Sequence, residues 1–278
     1  MTTYLAATGD VHAGSTLAPC GAEPVPLDDG GSYTRSKPQE WVTERFEDYC
    51  QKVSKLRKKK GDRLVWLLNG DLVDGGAHHG THQCISGDLA VQRLVLERLS
   101  QPLIDSEPDA VIVVRGTPVH VGKSGGAEES FARWLSFKVP VLKHREVGTY
   151  SHYHYTGSIG GVRIDAAHHG RVGGRSWTRL SAVGALATEV LVEYSIRDEP
   201  PPHLAIRSHC HLYADSGPST KVRVLALPAW QLKTEYGHQK FPESLADIGG
   251  AVIACDKGRY EIETHLYYPK RDKLWHPA

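Results

Sequence analysis

The chain has 278 residues, 40% hydrophobic and 23% charged, with a formal net charge of +1. That is enough for one sizeable core, as a single large α/β domain or two small ones, and the near-zero charge excludes a global field favouring nucleic acid or membrane. Five scattered cysteines without a CxxC pair (Cys20, Cys50, Cys84, Cys210, Cys255) argue against a disulfide framework or a cysteine zinc knuckle, whereas sixteen histidines raise the prior for metal or acid–base chemistry.

The first residues lack a basic n-region and reach a charge, Asp10, too soon for a signal peptide. No apolar run approaches transmembrane length. A cytoplasmic protein without a membrane partner is expected. Thr3 to Thr8 reads as a short strand running into Gly9-Asp10-Val11-His12. Residues two apart on an extended segment share a side, so Asp10 and His12 can aim at one point. A DxH pair alone describes a surface loop equally well. Ala13 to Lys37 has no period and is rich in Gly, Pro, Ser and Thr. It is either a cover over the site or a surface insertion. Ser36-Lys37-Pro38 starts a helix whose Trp41, Val42, Phe46, Tyr49, Val53 and Leu56 recur at helical spacing. Its basic end, Lys55 to Lys60, stopped by Gly61, is either a nucleic-acid contact or a solvated helix C-terminus favoured by the dipole.

Leu64 to Leu68 is a buried strand closed by the turn signal Asn69-Gly70. Asp71 and Asp74 follow, at the strand end where open α/β sheets place ligands; a helix N-cap is the plain alternative for such an Asp. His78, His79 and His82 lie on the next loop. Leu89 to Leu99 has helical spacing. Asp109 to Val114 is a third strand, ending in a loop that carries Arg115, Thr117 and His120, and a helix follows over about 128–137. Beyond Val139 the texture turns to antiparallel strands, at 140–142, 149–156 and 161–167. The last of these ends in His168-His169-Gly170. A basic, Gly-rich loop, Arg171 to Arg179, leads into a helix to about Arg197, and Leu204-Ala205-Ile206 ends in Arg207-Ser208-His209-Cys210-His211. Residues 222–227, 250–255 and 260–267 read as further strands of a second sheet.

Five apolar runs thus end in ligand-competent side chains: Asp10 and His12; Asp71 and Asp74; Thr117 and His120; His168 and His169; His209 and His211. Packing has no use for ionisable groups at every strand tip. Asp and His donors without cysteine suit Mn²⁺, Zn²⁺, Fe or Ni²⁺.

In this order, GDxH, GDxxD, RGT, HHG and HxH, the motifs resemble those of the calcineurin-like metallophosphoesterases, over about residues 5–212. The resemblance implies an α/β fold, a four-layer αββα sandwich of two mixed sheets flanked by helices, in one domain of residues 1–278. It implies two divalent metal ions, Mn²⁺ foremost, that activate water against a phosphate-ester substrate, monoester or diester. Asp10, His12 and His211 would hold one ion, and Asp71 would bridge to a second held by His168 and His209. His168 is chosen over His169 because it directly follows the strand. The family's third motif, GNH followed by an acid, is altered. Thr117 stands where a ligand Asn belongs, and His120, the implied leaving-group acid, is displaced by two residues, leaving open whether it is an acid or a ligand. Gly76 replaces an arginine that grips phosphate in protein-phosphatase relatives. Arg115 is the candidate replacement, as are Arg171 and the His78/His79 loop, and Asp74 completes the catalytic set. The RGTxxH variant resembles that of phage- and prophage-type members. The rival readings are a nuclease of the same fold acting on DNA, a mononuclear zinc hydrolase, and a degenerate fold serving as a binding module. Nothing in the pattern sets an oligomeric state.

Overall fold

The computed structural model describes residues 1–75, 83–170, 178–240 and 242–269. Gly76, His78, His79, His82 and Arg171, singled out above, lie outside the described residues. In chain order, strand β1 (Thr3–Thr8) is followed by the short ribbon β2 (Val25–Pro26) and β3 (Ser32–Tyr33), helix α1 (Lys37–Ser54), β4 (Arg63–Asn69), α2 (Leu89–Leu99), α3 (Gln101–Asp105), β5 (Ala110–Val114), one-turn α4 (Pro118–Val121) and α5 (Gly126–Leu135). The second half supplies β6 (His154–Ile159), β7 (Val162–Ala167), α6 (Arg179–Ile196), β8 (Leu204–Arg207), β9 (Ala214–Asp215), β10 (Arg223–Ala226), α7 (Glu235–Lys240), β11 (Ile248–Asp256) and β12 (Arg259–Tyr267).

Two mixed five-stranded sheets result, in the orders β12-β11-β1-β4-β5 and β6-β7-β8-β10-β9. Their inner faces meet through Leu5, Leu67 and Ile112 on one side and Ile164, Ile206 and Leu225 on the other. The outer face of the first sheet packs on α1, α2 and α5 through Trp66, Val42, Phe46, Val95 and Phe131. The second sheet is covered by Val183, Ala187 and Val190 of α6. Strands β4 and β5 are buried on both sides, which is why they read as unbroken apolar runs instead of alternating ones. The architecture is a four-layer αββα sandwich.

Local signals act as their chemistry dictates. Ser36 caps α1 and accepts from the Gln39 N–H, while the Gln39 side chain returns to the Ser36 N–H, a capping box. The helix ends after Ser54 and does not run on to Gly61. Arg57 instead turns its guanidinium to the Ser106 carbonyl (2.6 Å) and the Asp109 carboxylate (3.8 Å). Residues 18–25 lie over α1 and α2: Cys20 exchanges hydrogen bonds with Thr43 Oγ1 (3.0 Å each), Val25 is buried, and Arg98 reaches the Pro24 carbonyl. This part of the long loop covers the helix layer and not the site.

Three strand expectations are corrected. Residues 140–142 and 149–153 form no strand; Val141 and His152 make only isolated bridges to β5. Strands β11 and β12 join the first sheet, beside β1, and not the second. Asn69 is the last residue of β4 and not the first of a turn. Among the described residues no helix is long and apolar enough to cross a membrane.

Candidate metal centre

Parallel pairing of β1 with β4, β4 with β5, and β7 with β8 sends five strand ends toward one edge of the sandwich. Among the described residues, the side chains released there form three donor groups: Asp10, His12 and His211; Asp71, His168 and His209; and His12, Asp71 and His120. Asp10, His12, Asp71 and His168 are buried, at 1% exposure or less.

The convergence does not come from an extended segment, as the DxH spacing suggested. Asp10, His12, Asp71, His209 and His211 all have φ between 49° and 75°. For residues other than glycine this left-handed backbone costs roughly 1–3 kcal/mol each and persists only where the surroundings fix it. Here they do. The Asp10 N–H donates to the Gly70 carbonyl (2.9 Å), His12 to that of Asp71 (3.0 Å) and Ala13 to that of Leu72 (2.9 Å). The Trp230 N–H donates to the Asp10 carbonyl (2.9 Å). The β1 and β4 loops are laced together residue by residue.

Within the cluster, His12 Nε2 and His211 Nε2 lie 3.1 Å apart, and Asp10 Oδ1 lies 3.4 Å from His211 Nε2 and 3.8 Å from His12 Nε2. His168 Nε2 lies 2.9 Å from Asp71 Oδ2 and 4.0 Å from Asp10 Oδ1. Ring orientation is set from behind. His168 Nδ1–H donates to the Asn69 carbonyl (2.8 Å) and His12 Nδ1–H to Asp74 Oδ1 (3.2 Å), which also accepts from Gln231 Nε2 (2.9 Å). Each ring therefore aims Nε2 into the cluster.

The electrostatics follow from burying unlike charges together. Burial opposes ionisation of Asp10, but the nearby rings of His12, His211 and His168 hold its carboxyl well below the usual range. Asp71, against burial, is lowered likewise by His168, His12 and His120. Burial opposes protonation of His12 and His168 too; Asp10 and Asp74 raise His12 to about 10, and Asp71 and Asp10 raise His168 to about 9. Two carboxylates thus keep their charge and draw cations, protons or metal, to the opposing nitrogens. An ion binding there would take the same lone pairs and release protons.

Two atoms test whether a metal fits. Asp10 Oδ1 and His168 Nε2 are buried with no aligned hydrogen-bond partner among the described residues. A buried polar atom without a partner calls for an explanation. Both belong to the donor groups, and a mixed carboxylate and imidazole set is what a divalent ion of borderline softness takes. The residues fit such ions.

The remaining candidates have distinct places. Thr117 holds both oxygens of Asp71, its N–H donating to Oδ1 (2.7 Å) and its hydroxyl to Oδ2 (2.5 Å). Arg115 donates to Ser151 Oγ (2.8 Å) and the Ser124 carbonyl (2.9 Å), lies 3.5 Å from the Glu129 carboxylate, and stacks over Tyr153. These bonds brace Arg115 between the end of β5 and α5. His120 sits on α4, not on a loop, with Nδ1 2.6 Å from the Asp74 carbonyl oxygen. His169 is exposed, its ring 4.9 Å from that of His209. Three supporting residues escaped the sequence reading. Asn69 was masked by its place in an apparent turn. Gln231 stands far from every motif. Glu128, fully buried, accepts from the Gly116 N–H (2.6 Å) and the Leu72 N–H (3.3 Å) and so ties the Asp71 loop to the Thr117 loop. Only its position at the start of a helix hinted at it.

The chain belongs to the calcineurin-like phosphoesterase family, whose model matches residues 3–239. No curated protein matches it in sequence. Among solved structures it is similar to a dimetal phosphatase from Danio rerio, at 10% identity and a TM-score of 0.46, covering 94% of this chain and 95% of that one. It is also similar to a hypothetical protein from Pyrococcus horikoshii, at 9% identity and a TM-score of 0.45, covering 96% and 89% of the two chains. A Vps29 single mutant from Entamoeba histolytica aligns at 10% identity and a TM-score of 0.37, covering 95% and 99%.

Proposed function

We propose that this chain is a dinuclear metal-dependent phosphoesterase, hydrolysing phosphomonoester or phosphodiester bonds, with residues 1–278 acting as one domain in the cytoplasm. Asp10, His12 and His211 would hold one ion, His168 and His209 the second, and Asp71 would lie between them. The observation that carries the reading is the pair of buried, unaligned donor atoms, Asp10 Oδ1 and His168 Nε2, 4.0 Å apart beside the Asp71 carboxylate. The donor chemistry suits Mn²⁺ first, then Zn²⁺, Fe or Ni²⁺.

When bound, such ions supply Lewis acidity toward phosphoryl oxygens and activate water near neutral pH. The protein's own part is to keep Asp10 and Asp71 ionised, to hold His12 and His168 with Nε2 forward, and to fix both loops by backbone hydrogen bonds. A binding module on a decayed fold would have no need of buried Asp and His donors converging on one point.

The nuclease reading leaned on the basic run before β4 and on the arginines of 171–179, and the first of these is set apart from the site: β4 begins at Arg63, paired with Thr3 in parallel register. The ligands leave at the other ends of these strands, roughly 20 Å away at about 3.3 Å per residue. The basic run therefore lies at the opposite end of β4 from the site.

The test is metal analysis followed by a reconstituted screen. Near two ions per chain, with turnover of a nitrophenyl monoester or diester and none of single- or double-stranded DNA, is the expected result. About one ion would support a mononuclear hydrolase, and none would support a binding module; either would refute the proposal.

A further inference from the structure

We infer that His120 serves this centre as an additional metal-ligating ring, on the side shared by His12 and Asp71, and not as the acid that protonates the leaving group. The inference rests on the dinuclear reading above.

The tautomer carries the chemistry. His120 Nδ1 lies 2.6 Å from the backbone carbonyl oxygen of Asp74. A carbonyl offers lone pairs only, so Nδ1 bears the hydrogen, and in the neutral ring Nε2 bears the lone pair. In that tautomer Nε2 carries the lone pair a metal takes. A backbone carbonyl behind Nδ1–H is also the usual support of a metal-ligating histidine. His12 and His168 are supported in the same way, by Asp74 Oδ1 and the Asn69 carbonyl. His120 is the third ring in this centre with that arrangement.

Position agrees. His120 Nε2 lies 3.9 Å from Asp71 Oδ2, and its ring meets that of His12 edge-on at 4.5 Å between centroids. With metal–donor lengths of about 2.1 Å, two donors on one ion stand between about 3 Å in cis and about 4.2 Å in trans. The observed separation falls inside that window. The altered third motif also acquires a reason. The Thr117 hydroxyl donates to Asp71 Oδ2 and so is engaged in holding a carboxylate. The extra residues between Thr117 and His120 form α4, which turns the imidazole back toward that same carboxylate. His120 thus adds a neutral donor on the His12 side, while the Thr117 hydroxyl stays with the Asp71 carboxylate.

Cobalt loading tests this without relying on turnover. Wild-type protein and the variants His120→Asn and His120→Gln are titrated with Co²⁺, following stoichiometry and the visible d–d absorption. Asn retains a side-chain N–H near the position of Nδ1 and so keeps the bond to Asp74, but it has no donor where Nε2 stood. Gln places an amide oxygen close to the Nε2 position. The expected result is two cobalt ions in the wild type, a 10-fold or greater weakening of one site with an altered spectrum in His120→Asn, and partial recovery in His120→Gln. Unchanged affinity and spectrum in His120→Asn, with two ions still bound by the wild type, would overturn the inference alone. A wild-type chain that binds no cobalt would overturn the dinuclear reading and the inference together. Should His120→Asn fail to fold, His120→Gln decides: a spectrum and affinity identical to wild type in both sites would overturn the ligand role, and a shifted spectrum of one site would uphold it.

Discussion

Gly116→Ala is the sharpest probe of how the centre is held. A Cβ at this position would stand 2.1 Å from Asp71 Oδ1, 2.3 Å from the Asp71 backbone nitrogen and 2.9 Å from its Cα. Non-bonded carbon contacts are comfortable only at about 3.5 Å, so the Asp71 loop must retreat by roughly 1 Å. It cannot do so freely, because the His12 and Ala13 N–H groups are bonded to the Asp71 and Leu72 carbonyls, and Glu128 ties the loop to Gly116. Overpacking of this kind costs about 1–3 kcal/mol, or a few degrees in melting temperature for a chain of this size. The functional cost is larger in relative terms. Metal donors must sit within about 0.2 Å of their places, and a 1 Å displacement of a reacting group costs about 100-fold in rate. We expect Gly116→Ala to fold, to melt a few degrees lower, and to lose about 100-fold in hydrolysis of a nitrophenyl ester with a matching loss of Mn²⁺ affinity. Gly184→Ala is the control: it lies inside α6 with nothing within 4 Å of its virtual Cβ, so it should gain about 0.5–1 kcal/mol and leave metal binding unchanged. Wild-type metal affinity and turnover in Gly116→Ala would refute the claim that these two loops are rigidly registered.

Other outcomes follow from the same geometry. Asp71→Asn should bind fewer ions per chain and lose at least about 100-fold in turnover while keeping its circular dichroism spectrum; near-normal turnover would remove Asp71 from its bridging place. His168→Ala should lose an ion, whereas His169→Ala should keep both, which metal content after dialysis decides. The Asp165 carboxyl, buried against His154 Nε2 (2.9 Å), Arg207 Nη1 (2.7 Å) and the Tyr194 hydroxyl (2.9 Å), is penalised by burial yet lowered to about 2 by His154 and Arg207. A carboxyl lowered in the folded state adds stability that is full above the ordinary value near 3.8 and is lost as pH falls through about 2, here about 2 kcal/mol, with about half gone by pH 3. The stability gap between wild type and Asp165→Asn in urea should therefore narrow by about 1 kcal/mol between pH 5 and pH 3; a constant gap would refute the assignment.

What was legible in the sequence, and what was not, divides along a physical line. Side-chain type and apolar runs are local, so strands β1, β4, β5, β7 and β8 and the residues at their tips could be read directly. Backbone handedness is not local. Nothing in Asp-Val-His says that Asp10 and His12 adopt left-handed φ, because the loops that enforce it come from residues 70–72 and 230. Strand partnership is less local still. Residues 250–255 and 260–267 carry the pattern of a hairpin that fits the edge of either sheet. One tie that holds β11 beside β1 is Tyr49 of α1, whose hydroxyl donates to the Ala251 carbonyl (2.9 Å) and lies 3.2 Å from that of Ala7. The ring gains this place because residue 250 has no side chain; a Cβ there would stand 2.7 Å from Tyr49 Cζ. Such a tie, from a tyrosine two hundred residues away, cannot be read from the hairpin's own pattern. By the same logic His120 could be seen as a candidate from its loop, but its chemistry had to wait for the Asp74 carbonyl, since a histidine's function is decided by what sits behind the nitrogen that does not face the substrate.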